Sequence, residues 1–195
     1  MPENNKIKLL LSEIALYNNQ ASYKELFILM HSRLSAFAYS ILKSKYDAEE
    51  VVSDVFIKIW EKRAKLVDIE SPVFYLFAAV KNQSINKLAS QKKQRQIASE
   101  HWVAQLNSVY FDPEKLMMTA EMIRHISQVI NTLPPKCRMV FKLIKEDGLK
   151  YREAAELLQI SVKTVEAQMA IALRRIGKCM HLDVSGQAST QSVKK

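Results

Sequence analysis

Basic and polar side chains recur along one side of a helical pattern near the carboxyl end of the chain. Apolar residues spaced three or four apart from Val162 to Ile176 predict an amphipathic helix with one buried stripe. The opposite side carries small, hydroxyl and basic side chains, which include Lys163, Thr164, Ala167, Arg174 and Arg175. Cationic groups bind phosphates and polar groups hydrogen-bond base edges, so this face suits the major groove of DNA.

The residues before this helix predict how it is held. Ala154 and Ala155 are small enough to let two helices cross closely, as in a helix-turn-helix. The segment from Gln159 to Ser161 predicts the turn, with Ser161 as the N-cap of the second helix. An ordinary helical hairpin inside a bundle explains the apolar spacing, but it does not explain the basic outer face. The pattern therefore favours DNA binding.

A second basic segment combines charge with aromatic rings. Ser71 and Pro72 predict the start of a helix as its cap and first residue. The side chains that suit nucleic acid on this helix are Lys81, Asn82, Asn86 and Lys87. Rings can stack on bases while cations contact the backbone, so the segment suits a single strand. The alternative is a solvated helix face.

Acidic residues cluster at the start of another predicted helix, and they are Asp47, Glu49, Glu50 and Asp54. A capping box from Asp47 to Glu50 explains part of this cluster, because acids stabilise the positive end of a helix. The other interpretation is a docking surface for a basic or polar partner. A similar capping box from Ser22 to Glu25 predicts the start of the preceding helix.

Composition limits the remaining classes. The 195-residue chain has a net charge of +9, which favours a polyanionic partner. Its two cysteines and four histidines show no metal or catalytic spacing, so we expect no enzyme activity, no cofactor and reduced thiols. The polar amino terminus and the lack of a long apolar run predict neither a signal peptide nor a membrane span, and hence a cytoplasmic protein.

Helical periodicity runs through most of the chain, and glycine is scarce. We therefore predict an all-α protein of two small helical domains joined by a flexible linker. The first domain covers residues 1–95, the linker 96–111, the helix-turn-helix domain 112–181 and a disordered tail 182–195.

Four segments in this order resemble extracytoplasmic-function sigma factors, the compact branch of the sigma-70 family. Residues 47–60 resemble the region 2 helix that docks on RNA polymerase, and residues 75–86 resemble the helix that opens the minus-ten element. Residues 133–141 resemble the entry to region 4, and residues 160–166 the start of its minus-thirty-five reading helix. The chain departs from the family pattern at Lys81 and Asn86, where arginine and aspartate are frequent.

The resemblance implies a sigma factor that binds core RNA polymerase and directs initiation from particular promoters. Polymerase binding would fall to Asp47, Glu49, Glu50 and Asp54. Contacts to the minus-ten element would come from Lys81, Asn82, Asn86 and Lys87, with a flipped base held by the loop of residues 66–70. The minus-thirty-five element would be met by Lys163, Thr164, Ala167, Gln168, Arg174 and Arg175. An anti-sigma factor, often membrane-anchored in this family, is an expected partner, and no small-molecule substrate is expected.

Two other classes stay open on the residues alone. An ordinary helix-turn-helix regulator would explain the carboxyl-terminal half without a stable polymerase complex, and its footprint would be palindromic. A helical adaptor that binds only protein would show no affinity for promoter DNA, even when polymerase is present.

Overall fold

The computed structural model describes residues 2–67, 69–94 and 127–187, and it contains helices and turns but no strand within those ranges. The first domain consists of α1 (Pro2–Tyr17), α2 (Gln20–Leu42), α3 (Lys45–Glu61), a 3-10 turn (Arg63–Leu66) and α4 (Pro72–Gln94). The second domain contains α5 (127–132), α6 (Pro135–Lys145), α7 (Tyr151–Leu158) and α8 (Val162–Gln187). The predicted all-α fold is confirmed.

Helix α2 is central to the first domain and packs against α1, α3 and α4. Leu26, Met30 and Leu34 recur every four residues along α2, and each is fully buried. Phe77 of α4 meets Phe37 edge to face, with 5.1 Å between the ring centroids. This core holds α3 and α4 side by side, which places the acidic cluster beside the basic-aromatic helix.

The predicted capping box at Ser22 is wrong, because Asn19 caps α2 instead. The Asn19 side-chain oxygen accepts hydrogen bonds from the amides of Ala21 and Ser22, at 3.0 and 3.2 Å. Asparagine at this position satisfies two free amides, so the helix already begins at Gln20. The buried Ser22 hydroxyl donates to the carboxylate of Glu13 and ties α2 to α1.

Helix α3 also begins earlier than its sequence pattern predicts. Lys43 adopts a left-handed conformation, with φ of 60°, and ends α2. The hydroxyl of Ser44 then accepts a hydrogen bond from the amide of Asp47 at 3.2 Å and caps α3. Asp47 therefore lies within the first turn of α3 rather than at its cap.

The helix-turn-helix is confirmed in its local details. Gln159 takes the left-handed conformation that ends α7, with φ of 55°. The Ser161 hydroxyl accepts a hydrogen bond from the amide of Thr164 at 3.1 Å, as expected of an N-cap. Gly148 has φ of +72° in the turn before α7, a conformation that glycine adopts without steric cost.

The predicted linker at 96–111 and the predicted helix start at Asp112 lie outside the described residues. Helix α8 extends to Gln187, so it continues past the predicted domain boundary at residue 181. The segment Leu182-Asp183-Val184 contains neither glycine nor proline, and the next glycine, Gly186, lies one residue before the helix ends. Residues 188–195 of the predicted tail lie outside the described ranges.

Candidate nucleic-acid interface

One side of α8 forms an exposed polar ridge of the kind the sequence predicts. Its exposed members are Lys163, Thr164, Ala167, Arg174 and Arg175, and Gln168 is half-buried. At about 1.5 Å per residue, the ridge from Lys163 to Arg175 is about 18 Å long. The structure therefore brings together all six residues predicted for the minus-thirty-five element on one helix.

The ridge is exposed because the other side of α8 is anchored in the second domain. Val165, Met169 and Ala172 are each no more than 1% exposed. Cys137 of α6 adds a polar anchor, since its thiol donates to the carbonyl oxygen of Gln168 at 3.1 Å. Burial raises the pKa of the Cys137 thiol, so the thiol remains a donor at neutral pH. Sequence spacing gives no signal for this contact across 31 positions.

The four residues predicted for the minus-ten element do not form one surface on α4. Asn82 and Asn86 are exposed and lie one helical turn apart, so they share a face. Lys81 is only 7% exposed, and burial lowers its pKa although Glu156 of α7 acts in the opposite direction. Lys81 therefore lies on the inward side of α4, close enough to Glu156 of the second domain to feel its charge.

Lys87 forms ion pairs with the acidic cluster. Its ammonium nitrogen lies 3.1 Å from a carboxylate oxygen of Asp47 and 2.6 Å from one of Glu50. Although partial burial lowers the pKa of Lys87, the attraction of Glu50 and Asp47 raises it overall. Hydrogen bonds from Ser44 and Lys87 lower the pKa of Asp47. The structure thus joins predicted polymerase-binding and DNA-binding residues in one ion-pair cluster.

The other two acids lie beyond this cluster. Glu49 is exposed and 3.9 Å from Lys45, and Asp54 is half-buried without an ion pair among the described residues. A groove of about 370 Å³ lies beside Glu49, between α2 and α3, and is lined by His31, Ser32, Ser35, Ala36, Tyr39, Lys45 and Ala48. The sequence did not predict this groove, because its walls come from two helices whose relative placement depends on tertiary packing.

The loop predicted to hold a flipped base is described only in part. Leu66 is buried in the core, Val67 is 41% exposed and Ile69 packs against the core. Residue 68 lies outside the described ranges, so the pocket remains a prediction.

Other site types are not found in the described part of the chain. Within residues 2–67, 69–94 and 127–187, no helix combines the length and apolar character needed to span a membrane. The same ranges contain no group of three or more histidine, cysteine or acidic residues arranged to hold a metal ion.

Comparison with known proteins identifies both domains. A family model for sigma-70 region 2 matches residues 26–94, and a model for sigma-70 region 4 matches residues 123–176. The ECF RNA polymerase sigma factor SigK of Mycobacterium bovis is 20% identical over 169 residues, which cover 86% of this chain and 89% of SigK. The ECF RNA polymerase sigma-E factor of Escherichia coli is 25% identical over 130 residues, which cover 63% of this chain and 68% of that protein.

Two solved structures are also similar to this chain. CnrH in complex with the cytosolic domain of CnrY is 20% identical, with a TM-score of 0.48 and coverage of 91% of this chain and 99% of that chain. The sigma factor RpoE in complex with the anti-sigma factor NepR from Bartonella quintana is 21% identical, with a TM-score of 0.48 and coverage of 83% and 98%. The region 2 and region 4 family models match in the expected order, and the relatives SigK and sigma-E are both ECF sigma factors. Together these sequence matches show that the chain is an RNA polymerase sigma factor of the extracytoplasmic-function group of the sigma-70 family.

Proposed function

We propose that three surfaces of this sigma factor make different contacts during initiation. Helix α3 and its neighbouring groove dock on core RNA polymerase, α4 engages the minus-ten element, and α8 reads the minus-thirty-five element. The observation that carries the proposal is the exposed polar ridge of α8, which lies opposite a completely buried stripe. The direct test is transcription with core polymerase on a library of genomic fragments, with start sites mapped. A shared pair of upstream elements supports the proposal, and start sites unchanged from core polymerase alone contradict it.

Polymerase docking is assigned to the exposed Glu49 beside the groove and to the half-buried Asp54 on the same helix. Glu49→Lys with Asp54→Lys should weaken binding to core polymerase, because a partner that is basic at this surface would meet like charge. Glu25→Lys is the control for each single reversal, since Glu25 is an exposed acid of α2 paired with Lys6. Alanine at positions 49 and 54 separates docking from helix-end repulsion. Unchanged affinity in a pull-down would remove this face from the interface.

The groove offers a second, independent test of docking. Ala36→Leu adds volume to the groove wall on α2 without changing charge. If a polymerase side chain enters the groove, this variant should weaken binding while the helical circular dichroism is retained. Normal polymerase affinity in a folded Ala36→Leu variant would restrict docking to the carboxylates.

The minus-ten role is assigned chiefly to the exposed amides of α4. Asn82→Ala and Asn86→Ala should reduce permanganate-detected melting more than they reduce closed-complex formation, since amides on this face suit unstacked bases. Gln20→Ala, an exposed amide on α2, is the control. An equal loss of transcription on a pre-melted template would show that melting is not their role.

The ridge of α8 is expected to combine base reading with backbone contact. Lys163, Thr164 and Gln168 lie in its first turns, the part of a recognition helix that meets base edges. Replacing one of them should cost roughly 1–3 kcal/mol on the cognate element and little on a scrambled one. Arg174→Ala or Arg175→Ala should weaken both DNAs alike and flatten the salt dependence by about one counterion.

This assignment is tested by salt titration of the whole sigma factor with polymerase on cognate and scrambled promoters. If Arg174→Ala changed the preference for the cognate promoter but left the salt dependence unchanged, Arg174 would be a base reader and not a backbone contact. If none of these variants alters promoter binding, the ridge does not contact DNA.

Sigma factors in general are not enzymes, and we propose that this chain likewise acts only by binding. It would act in the cytoplasm, where polymerase and promoter DNA are found. We also propose an anti-sigma partner, because family membership implies one and because α8 carries exposed apolar residues at Ile171 and Leu173. Affinity capture with the full chain, followed by a transcription assay on each captured protein, tests this partner. Absence of any captured inhibitor of transcription would contradict it.

A further inference from the structure

The middle of the α8 ridge carries no cationic side chain. Lys163 lies near the start of the ridge and Arg174 near its end, and the residues between them include no lysine or arginine. The outward positions of this middle stretch are Ala167, Ala170 and Ile171, which are all exposed. Ile171 is 39% exposed although its side chain is large and apolar. These three residues are called the apolar patch of α8.

Helical geometry places the apolar patch on the side of α8 that faces away from the core. Successive residues of an α-helix are rotated by about 100°, so Ala167 lies about 160° from the buried Val165. Ile171 follows Ala167 by four residues and therefore lies on the same face, one turn later. Leu173 is also exposed, but it lies about 160° from Ile171 around the helix axis and is not part of the patch.

The apolar patch lies between the two parts of the ridge that are proposed to bind DNA. Ala167 follows Lys163 by about one turn, and Arg174 follows Ile171 by about one turn. Base contacts before the patch and phosphate contacts after it would hold the patch inside the major groove. Glu166 is exposed beside the patch, and its carboxylate would repel a phosphate. The middle of the ridge is therefore suited to base edges rather than to the DNA backbone.

The chemistry of the apolar patch selects one type of base. Of the groups that the four bases present in the major groove, the 5-methyl group of thymine is the apolar one, and apolar side chains contact it. Arginine and lysine are the commonest partners of guanine, and the patch contains neither. The single methyl groups of Ala167 and Ala170 let the helix approach the floor of the groove closely. The longer Ile171 side chain then comes within reach of a thymine methyl group.

We propose that the apolar patch of α8 recognises thymine in the minus-thirty-five element by contact with its 5-methyl group, and that Ile171 is the specificity-determining residue. This inference rests on the proposed function of α8 and adds a base type to it. The two can fail separately, because Arg174 tests whether α8 contacts DNA and Ile171 tests whether it recognises the methyl group.

The test removes the methyl group from the DNA. Promoter duplexes carry the minus-thirty-five element mapped by transcription, and each thymine of the element is replaced in turn by deoxyuridine, which lacks only the 5-methyl group. Affinity is measured by anisotropy with the full sigma factor bound to core polymerase. At the thymine that contacts Ile171, we expect binding to weaken about fourfold, the effect of losing one buried methyl group. Deoxyuridine in the spacer between the two promoter elements is the DNA control and should have no effect.

Ile171→Ala makes the matching change in the protein. It should weaken binding to thymine DNA at least about fourfold, but have little further effect on DNA with deoxyuridine at the contacted position, because the contact is already lost. Leu173→Ala is the matched control, since it truncates an exposed apolar side chain on another side of α8. It should bind both DNAs like the wild-type protein. Helical circular dichroism verifies that each variant remains folded.

A second variant should change which base is preferred. Ile171→Arg places a guanidinium group at the same position, and arginine forms paired hydrogen bonds with O6 and N7 of guanine. Transcription from promoters with a randomised minus-thirty-five element should therefore shift from thymine to guanine at the contacted position. If Ile171 served only in packing, Ile171→Arg would lower transcription from all of these promoters without such a shift.

Three results would overturn methyl recognition. They are equal binding of thymine and deoxyuridine DNA throughout the element, equal weakening of both DNAs by Ile171→Ala, and normal DNA binding by Ile171→Ala with loss only of a protein inhibitor. If Arg174→Ala weakens DNA binding in the same experiments, the proposed function of α8 survives any of these results. If Arg174→Ala and Ile171→Ala both leave binding unchanged, α8 does not contact DNA and the proposed function is itself wrong.

Discussion

Asp147, in the turn after α6, accepts a hydrogen bond from Arg33 Nε of α2 at 2.6 Å, so its buried carboxyl group should make the packing of the two domains on each other, here called closure, depend on pH. Burial raises the pKa of Asp147 from 3.8 to about 6, although Arg33 and, to a smaller extent, Lys142 lower it. Glu146, the other charged neighbour, raises it further. Because the closed state has the higher pKa, it binds a proton more readily than an open state with Asp147 in water. Closure should therefore strengthen as pH falls, and this stabilisation is lost as pH rises through about 6.

The size of the effect follows from the two pKa values. The pKa of Asp147 is 3.8 in the open state and about 6 in the closed state. The free energy of closure should therefore become more favourable by about 1.3 kcal/mol between pH 7 and pH 5, roughly a tenfold change in the closed-to-open ratio. The change corresponds to uptake of at most one proton per chain.

The perturbation is Asp147→Asn, which retains a hydrogen-bond acceptor for Arg33 but cannot ionise. Closure of this variant should lose the pH dependence and be at least as favourable as wild type at pH 7, since no carboxylate is desolvated. The assay is energy transfer between fluorophores attached at Tyr46→Cys and Ala170→Cys, exposed positions in different domains, in a chain with Cys179→Ser. It is measured from pH 5 to pH 8, with circular dichroism to confirm folding. Asp54→Asn in the first domain serves as the control. An unchanged pH slope in Asp147→Asn would refute the reasoning, because another group would then be responsible.

Three further substitutions test the fold around the proposed surfaces. Lys87→Met removes both ion pairs to Asp47 and Glu50 and should cost about 1 kcal/mol of stability, measured by thermal denaturation of the full chain. Ser161→Ala removes the N-cap of α8 and should cost about 1 kcal/mol, seen as faster hydrogen exchange in its first turn. Met169→Ala leaves a cavity at a position that is 1% exposed. It should cost about 2–5 kcal/mol, measured as a lower unfolding midpoint of the second domain.

Each of these predictions has a control in the same chain. Lys58→Met removes a hydrogen bond of 2.8 Å from the ammonium group of Lys58 to the neutral amide oxygen of Gln83, and it should cost less than Lys87→Met. Ser53→Ala removes an exposed hydroxyl inside α3 rather than a cap. Leu173→Ala truncates a side chain of α8 that is 49% exposed, and it should be nearly neutral. Equal losses in a variant and its control would contradict the ion-pair, capping or cavity effect assigned to that variant.

Sequence patterns predicted the features that local physics determines. Val165, Met169 and Ala172 repeat at helical spacing, and Ser161 lies at the position where α8 needs a cap, so both the helix and its buried side follow from neighbouring residues. The ridge of α8 was predicted correctly because exposed positions are the complement of that stripe. At α2, two cap candidates lie close together, and the pattern selected Ser22 where Asn19 forms the hydrogen bonds.

Features that depend on tertiary contacts were not predictable in this way. Arg33 and Asp147 are 114 positions apart, and no periodicity relates them. Lys81 and Asn82 are adjacent in sequence, yet Lys81 is buried with Val80 and Ser84 whereas Asn82 is exposed. Neighbouring residues of a helix point about 100° apart, so only the packing of α4 decides which of them is buried. Lys87 was assigned to DNA from its charge and helix, whereas the packing of α3 against α4 brings it to two carboxylates.

The length of the exposed ridge on α8 limits how much sequence one domain can read. Base pairs of duplex DNA are stacked at about 3.4 Å, so a ridge of about 18 Å covers roughly five of them. A fully specified sequence of five base pairs occurs by chance about once in every 1,000 base pairs, which is far too often to define a promoter by itself. Selecting a single start site in a genome therefore requires a second element, which we propose is read by α4, at a fixed spacing from the first. Insertion of a few base pairs between the two elements should consequently abolish initiation even when both are intact.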